Sequence, residues 1–279
     1  MPETPKRRLP KNRFAKKSLG QNFLVNHNYI SRIIDALEIK EADTVLEIGA
    51  GRGALTKELV SRARSVIAIE LDRDLTPILR AEFEGDLNFK LIEGDILEID
   101  IFEIVESVDT KHDVKLAANL PYYISTQILQ RLIELSGCFE RLVLMLQREV
   151  AERIAAEPGS KERGFLTVLM KRYFEIEKLF DVPPNAFRPV PKVTSSVVRL
   201  TPFKDKQNNH EAFRNLVSCG FAKKRKTIRN NLLSAPEEFK TLYRFETDEL
   251  LRTAEIDKKM RAEQLSLDEW ERLTSILTT

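Results

Sequence analysis

At 279 residues the chain can bury the core of one large domain, or of a main domain with a smaller one beside it. Its hydrophobic share of 42% and charged share of 32% are those of a water-soluble protein, and no apolar run approaches the roughly 18 residues that a membrane span needs. A net charge of +2, from 45 basic and 43 acidic residues, excludes the uniformly basic surface of many nucleic-acid binders.

The first twenty residues lack the apolar stretch of a secretory signal, which predicts a cytoplasmic protein. They carry Lys6, Arg7, Arg8, Lys11, Arg13, Lys16 and Lys17 with no acid between residues 6 and 17. From residue 28, Ile30, Ile33, Ile34 and Leu37 recur at helical spacing. Short apolar runs then alternate with amphipathic stretches. Strands are predicted at 44–48, 65–70, 88–92, 114–118 and 141–147, with helices near 54–62, 74–83, 126–135 and 148–156. Such a rhythm makes a mostly parallel sheet covered by helices on both faces.

A helix at 165–172 and strands at 175–182 and 195–200 follow. Between those strands lies a loop stiffened by Pro183, Pro184, Pro189 and Pro191. A polar linker at 201–210 leads to a helical region with Phe213, Leu216, Val217 and Phe221 on one stripe. The division predicted is 1–203, including an N-terminal basic or lid segment at 1–27, and a small helical unit at 204–279. A second basic cluster, Lys223, Lys224, Arg225 and Lys226 with Arg229, falls in that unit and suggests contact with a polyanion. Cys138 and Cys219 stand in no CxxC, and His27, His112 and His210 are scattered, so no metal site is predicted.

Glu47-Ile48-Gly49-Ala50-Gly51-Arg52-Gly53 ends the first predicted sheet strand and opens a helix. Glycines there allow a tight turn and bring a ligand close to the helix N-terminus. Read as Gly49-x-Gly51-x-x-Ala54, the turn meets a dinucleotide fingerprint. Read as E-x-G-x-G-x-G, it suits S-adenosylmethionine. In both readings Glu70 accepts hydrogen bonds from two ribose hydroxyls. Asp95, beside Ile96 after the third of these strands, can accept from the exocyclic amine of an adenine, or it can simply cap a turn.

The fourth of these strands runs into Asn119-Leu120-Pro121-Tyr122 at the same sheet edge. The lone pair of an aromatic amine is delocalised into the ring, so a catalyst should hydrogen-bond its N–H groups and favour positive charge at nitrogen. The Asn119 side-chain oxygen and the Leu120 carbonyl can supply two acceptors, Pro121 stiffens the turn, and Tyr122 can stack on a base. With a sulfonium leaving group, positioning supplies most of the rate.

With Lys17-Ser18-Leu19-Gly20-Gln21-Asn22-Phe23-Leu24 before the first helix and Asn185-Ala186-Phe187-Arg188-Pro189-Val190-Pro191-Lys192-Val193 in the proline loop, the chain closely resembles the ribosomal RNA adenine dimethyltransferase family over nearly its whole length. The resemblance implies an α/β fold: a Rossmann-like S-adenosylmethionine methyltransferase sheet with a small all-helical C-terminal domain. It implies S-adenosylmethionine as methyl donor, without a metal. Asn22, Leu24, Gly49, Gly51, Glu70, Asp95, Ile96 and Asn119 would hold that cofactor, while Tyr122 and Phe187 would sandwich a flipped adenine. The expected partner is the small ribosomal subunit through its 16S RNA, gripped at Lys223, Lys224, Arg225, Lys226 and Arg229, by a monomer with no membrane contact.

Overall fold

Every residue of the strand Thr44–Ile48 is buried. Leu46 and Ile48 enter one apolar cluster and Val45 the other, the alternation that an extended chain imposes when both its faces are covered. The computed structural model describes residues 15–16, 19–108, 114–204 and 209–278. The basic residues Lys6 to Arg13, with Lys17 and His112, lie outside the described residues.

In chain order the elements are β1 (Phe23–Leu24), α1 (His27–Ala36), β2 (Thr44–Ile48), α2 (Thr56–Val60), β3 (Ser65–Glu70), α3 (Thr76–Glu82), β4 (Phe89–Glu93) and α4 (Ile101–Ser107). Then come β5 (Val114–Asn119), α5 (Ser125–Glu134), β6 (Arg141–Gln147), α6 (Arg148–Ala155), α7 (Phe165–Tyr173), β7 (Phe174–Val182), β8 (Phe187–Arg188) and β9 (Ser195–Pro202). Seven strands form one sheet in the order β4-β3-β2-β5-β6-β9-β7. The first five are mutually parallel, and β9 runs antiparallel to both β6 and β7. The predicted strands stand within two residues of these. Helix α4, begun by an Asp100 side chain that accepts from Glu103 N–H, was not expected, and neither was the separate pairing of β1 with β8.

Chain order reverses between β2 and β5, which opens a crevice at the carboxyl ends of those two strands. At the opposite end of β5 the Lys115 ammonium is 1% exposed and lies 2.7 Å from Asp43 and 3.3 Å from Glu140. A buried charge needs such partners, and this network closes the bottom of the sheet, away from the crevice.

The C-terminal region contributes α8 (His210–Gly220), α9 (Ile228–Leu233), α10 (Glu237–Tyr243), α11 (Thr247–Thr253) and α12 (Leu267–Thr278). The expected stripe holds: Phe213, Leu216 and Val217 are buried and Phe221 packs against them. That apolar cluster continues into α5, α6, α7 and the sheet without a break. At the joint, the Arg172 guanidinium lies 3.9 Å from the centre of the Phe213 ring and bonds Glu271 at 3.0 Å. Gly220 admits the fully buried Trp270 so closely that a Cβ there would stand 2.3 Å from the indole.

Candidate active site

The crevice is a concave cleft, the usual setting of a small-molecule site. Asn22, Gly49, Gly51, Glu70, Asp95, Ile96 and the whole Asn119-Leu120-Pro121-Tyr122 turn face it. The sheet therefore gathers almost the entire predicted set at one place.

Gly49, Gly51 and Gly53 have φ of 73°, 62° and 75°, a region that glycine enters without strain. A Cβ on Gly51 would come within 3.2 Å of the Phe23 ring, so the turn and the N-terminal segment make a close cradle. The Glu70 carboxylate accepts from Gly51 N–H at 2.7 Å and from Asp72 N–H at 2.8 Å. Burial pushes its carboxyl above the ordinary range, and those two donors oppose the shift. Asp95 caps a turn, its Oδ1 accepting from Leu97 N–H at 2.8 Å, and the residue also lines the cleft.

Three residues depart from expectation. The Leu24 side chain, 4% exposed, borders a smaller recess beneath the glycine turn and does not face the main cleft. Phe187, expected on an exposed rigid loop, is fully buried among residues of the second apolar cluster. Its partner across the β1–β8 pairing is Leu24, and strand alternation sends Phe187 into the core and the neighbouring Arg188 to the surface. The structure thus gives Tyr122 to the cleft and withholds Phe187. Tyr122 is fixed by a 2.7 Å hydrogen bond between its hydroxyl and Ser195 Oγ, and burial raises its pKa, keeping it neutral.

Lys223, Lys224, Arg225 and Lys226 are exposed on the loop between α8 and α9, and not on a helix face. The Lys224 ammonium donates to the Lys161 carbonyl at 3.0 Å. The third departure is Arg229, which does not join this group as a free cation because both its Nε and Nη2 bond Asp248 at 2.6 Å.

Sequence reasoning named Glu47 only as part of a motif, with no role of its own, and passed over Asp72. Glu47 is buried, accepts from Thr56 Oγ1 at 2.6 Å, and has its carboxyl pushed up to about 7 by burial and by Glu70. Its signal was its place in E-x-G-x-G-x-G. Asp72 follows Glu70 by two residues, a spacing that puts both carboxylates on one side of an extended chain. Among the described residues no group of three or more His, Cys, Asp and Glu is arranged to hold a metal, and no helix is long and apolar enough to cross a membrane.

Residues 12–278 match the family model described as ribosomal RNA adenine dimethylase. The chain belongs to that family. "Ribosomal RNA small subunit methyltransferase A" of Clostridium botulinum is 42% identical over 264 residues, covering 94% of this chain and 93% of that protein. The protein of the same name in Geobacter sulfurreducens is 42% identical, covering 93% and 94%. Among solved structures, a dimethyladenosine transferase from Plasmodium falciparum superposes with a TM-score of 0.75 at 30% identity, covering 90% and 95% of the two chains. A 23S ribosomal RNA methyltransferase, ErmE, gives 0.68 at 26% identity, covering 92% and 100%. The ribosomal RNA adenine dimethylase family thus accounts for both the sheet and the helical region.

Proposed function

We propose that this chain is a small-subunit ribosomal RNA adenine dimethyltransferase. It transfers methyl groups from S-adenosylmethionine to the N6 amines of two adjacent adenosines near the 3′ end of 16S RNA, giving N6,N6-dimethyladenosine during subunit assembly. The observation that carries the reading is the Asn119-Leu120-Pro121-Tyr122 turn, set across the strand-order reversal from the glycine turn in one cleft. Full-length similarity to small-subunit methyltransferases chooses the RNA.

The residues present fit the cofactor. Three glycines with positive φ leave room for its methionine part, Glu70 for its ribose hydroxyls, and Asp95 with Ile96 for its adenine. Asn22 closes the cleft from the N-terminal side, and Leu24 supports it from below. When bound, S-adenosylmethionine supplies an electrophilic methyl group on a sulfonium.

The protein supplies positioning. Asn119 Nδ2 donates to the Asn22 carbonyl at 3.1 Å, which directs Oδ1 to accept an N–H of the target amine. Met145 O holds the Leu120 N–H at 3.1 Å, and the Leu120 carbonyl is the second acceptor. Pulling electron density toward nitrogen through these bonds lowers the cost of developing positive charge there. A monomethylated amine still has one N–H for Asn119, so the same acceptor serves the second transfer. The dimethylated amine has none, and loses that hold.

Tyr122 offers a stacking face worth roughly 1–3 kcal/mol toward extruding the base. Residues 1–203 carry this chemistry, and residues 204–279 present Lys223, Lys224, Arg225 and Lys226 to RNA phosphates, in a cytoplasmic monomer that needs no membrane or metal. A second reading, methylation of large-subunit RNA, takes support from the likeness to ErmE. Incubating the protein and labelled S-adenosylmethionine with undermethylated small subunits, and separately with large-subunit RNA, decides between them. Dimethyladenosine in the small-subunit RNA alone is expected.

A further inference from the structure

Asp72 is 3% exposed, yet the chemistry above gives it no task. Its Oδ1 accepts from the Lys16 ammonium at 2.5 Å and from Asp74 N–H at 2.9 Å, and its Oδ2 accepts from Gln21 Nε2 at 2.7 Å. The Lys16 ammonium also reaches Asp74 at 2.9 Å, and Lys16 N–H donates to Gln21 Oε1 at 2.8 Å. Lys16 and Gln21 thus form one unit, brought to Asp72 across 56 and 51 positions of sequence. Asp72 is in turn tied to the ribose-side carboxylate, since its own N–H bonds Glu70.

Next to this attachment, Leu19, Gly20, Gln21, Asn22 and Phe23 form one wall of the cleft. The far end of that wall is fastened differently. Phe23 and Leu24 pair with Arg188 and Phe187, Val25 N–H bonds the Ala186 carbonyl at 2.9 Å, and Leu24 and Phe187 are buried together. Releasing the apolar end exposes two large side chains to water. Releasing the polar end exchanges its hydrogen bonds for bonds to water, at the side where Lys16 is already 40% exposed. The wall should open at Asp72 and hinge at β1.

We propose that Asp72 is a positioning residue: acting through Gln21 and Lys16, it latches the wall formed by residues 19–23 across the cleft and so sets the affinity and dwell time of the S-adenosyl ligand. The latch acts on ligand retention and not on methyl transfer itself. The inference rests on the cleft being the S-adenosylmethionine site.

The test uses the full chain with Asp72→Asn, which removes the charge that holds Lys16, and with Gln21→Ala, a milder change at a half-buried residue that carries the test if the first variant unfolds. Titration calorimetry with S-adenosylmethionine and with S-adenosylhomocysteine should show dissociation constants raised roughly tenfold, the scale of one lost charge-assisted hydrogen bond. In Asp72→Asn, whose side chain lies outside the cleft lining, the KM for small subunits and the single-turnover rate at saturating cofactor should stay within about twofold. Lys16→Ala should add little to Asp72→Asn, because both break one attachment. Wild-type affinity in both variants overturns the latch, as does a slowed single turnover with unchanged affinity. A wild-type protein that binds neither S-adenosyl compound sinks the cofactor reading itself, a result distinct from failure of the latch.

Discussion

Glu70 and Asn119 are the last residues of β3 and β5, and Asp95 lies two residues beyond β4, whereas Phe187 belongs to a two-residue strand whose partner is the N-terminal segment. The first three reach the cleft because a parallel sheet delivers the carboxyl ends of its strands to one edge. Phe187 takes its orientation from Leu24, 163 positions away, and goes into the core. The position of a residue at a main-sheet strand end can be read from sequence alone, while the orientation that a small distant pairing gives Phe187 cannot.

The sharpest way to break this contrast is Phe187→Ala. As a core residue it should cost about 3–5 kcal/mol in denaturant unfolding without ligand. A variant of wild-type stability with slowed turnover would return the ring to the base site. Asn119→Ala should do the reverse: the single-turnover rate falls by roughly 10²–10³ with the unfolding midpoint nearly unmoved. Near-normal rates would remove Asn119 from the mechanism.

Glu47 sharpens the comparison by pH. Its carboxyl is raised from 4.5 to about 7, so between those values the folded chain keeps a proton that the unfolded chain has lost. The contribution of this group to stability therefore falls as pH rises through that window. Glu47→Gln should remove the decline and gain up to about 3 kcal/mol at pH 8 in the ligand-free protein. Parallel pH profiles for the two proteins would contradict this. The smallest effect concerns the basic loop. Replacing Lys223, Lys224 and Lys226 by Ala should lower the slope of log affinity for RNA against log salt by about 0.7–0.9 for each phosphate that a lysine had neutralised. Arg229→Ala, its charge already matched by Asp248, should leave the slope unchanged.

The sheet was legible because its strands are apolar runs of the right length, and the cleft because Glu47-x-Gly49-x-Gly51-x-Gly53, Glu70 and Asn119-Leu120-Pro121-Tyr122 stand at strand ends. Helix α4 escaped notice because only Ile101 is fully buried in it, which leaves a weak periodic signal. The pairing of Arg229 with Asp248 joins two elements 19 positions apart, and a local reading of charge sees the cation without its partner. For Asp72 the donors Lys16 and Gln21 lie beyond any local pattern. For Arg229 and Asp72 the deciding interaction is tertiary and polar, and nothing in hydrophobic periodicity encodes it.

The unbroken apolar cluster between the sheet and the C-terminal helices, pinned by Arg172 against Phe213 and by Trp270 against Gly220, makes the molecule a fixed gauge. Under the proposed function, the lysine-bearing loop and Asn119 would be held at one separation, which the phosphates and target adenine of an RNA would have to match to engage both. On that reading a short unstructured oligonucleotide would meet one jaw of the gauge at a time, and should be a poorer substrate than a folded RNA that presents both groups.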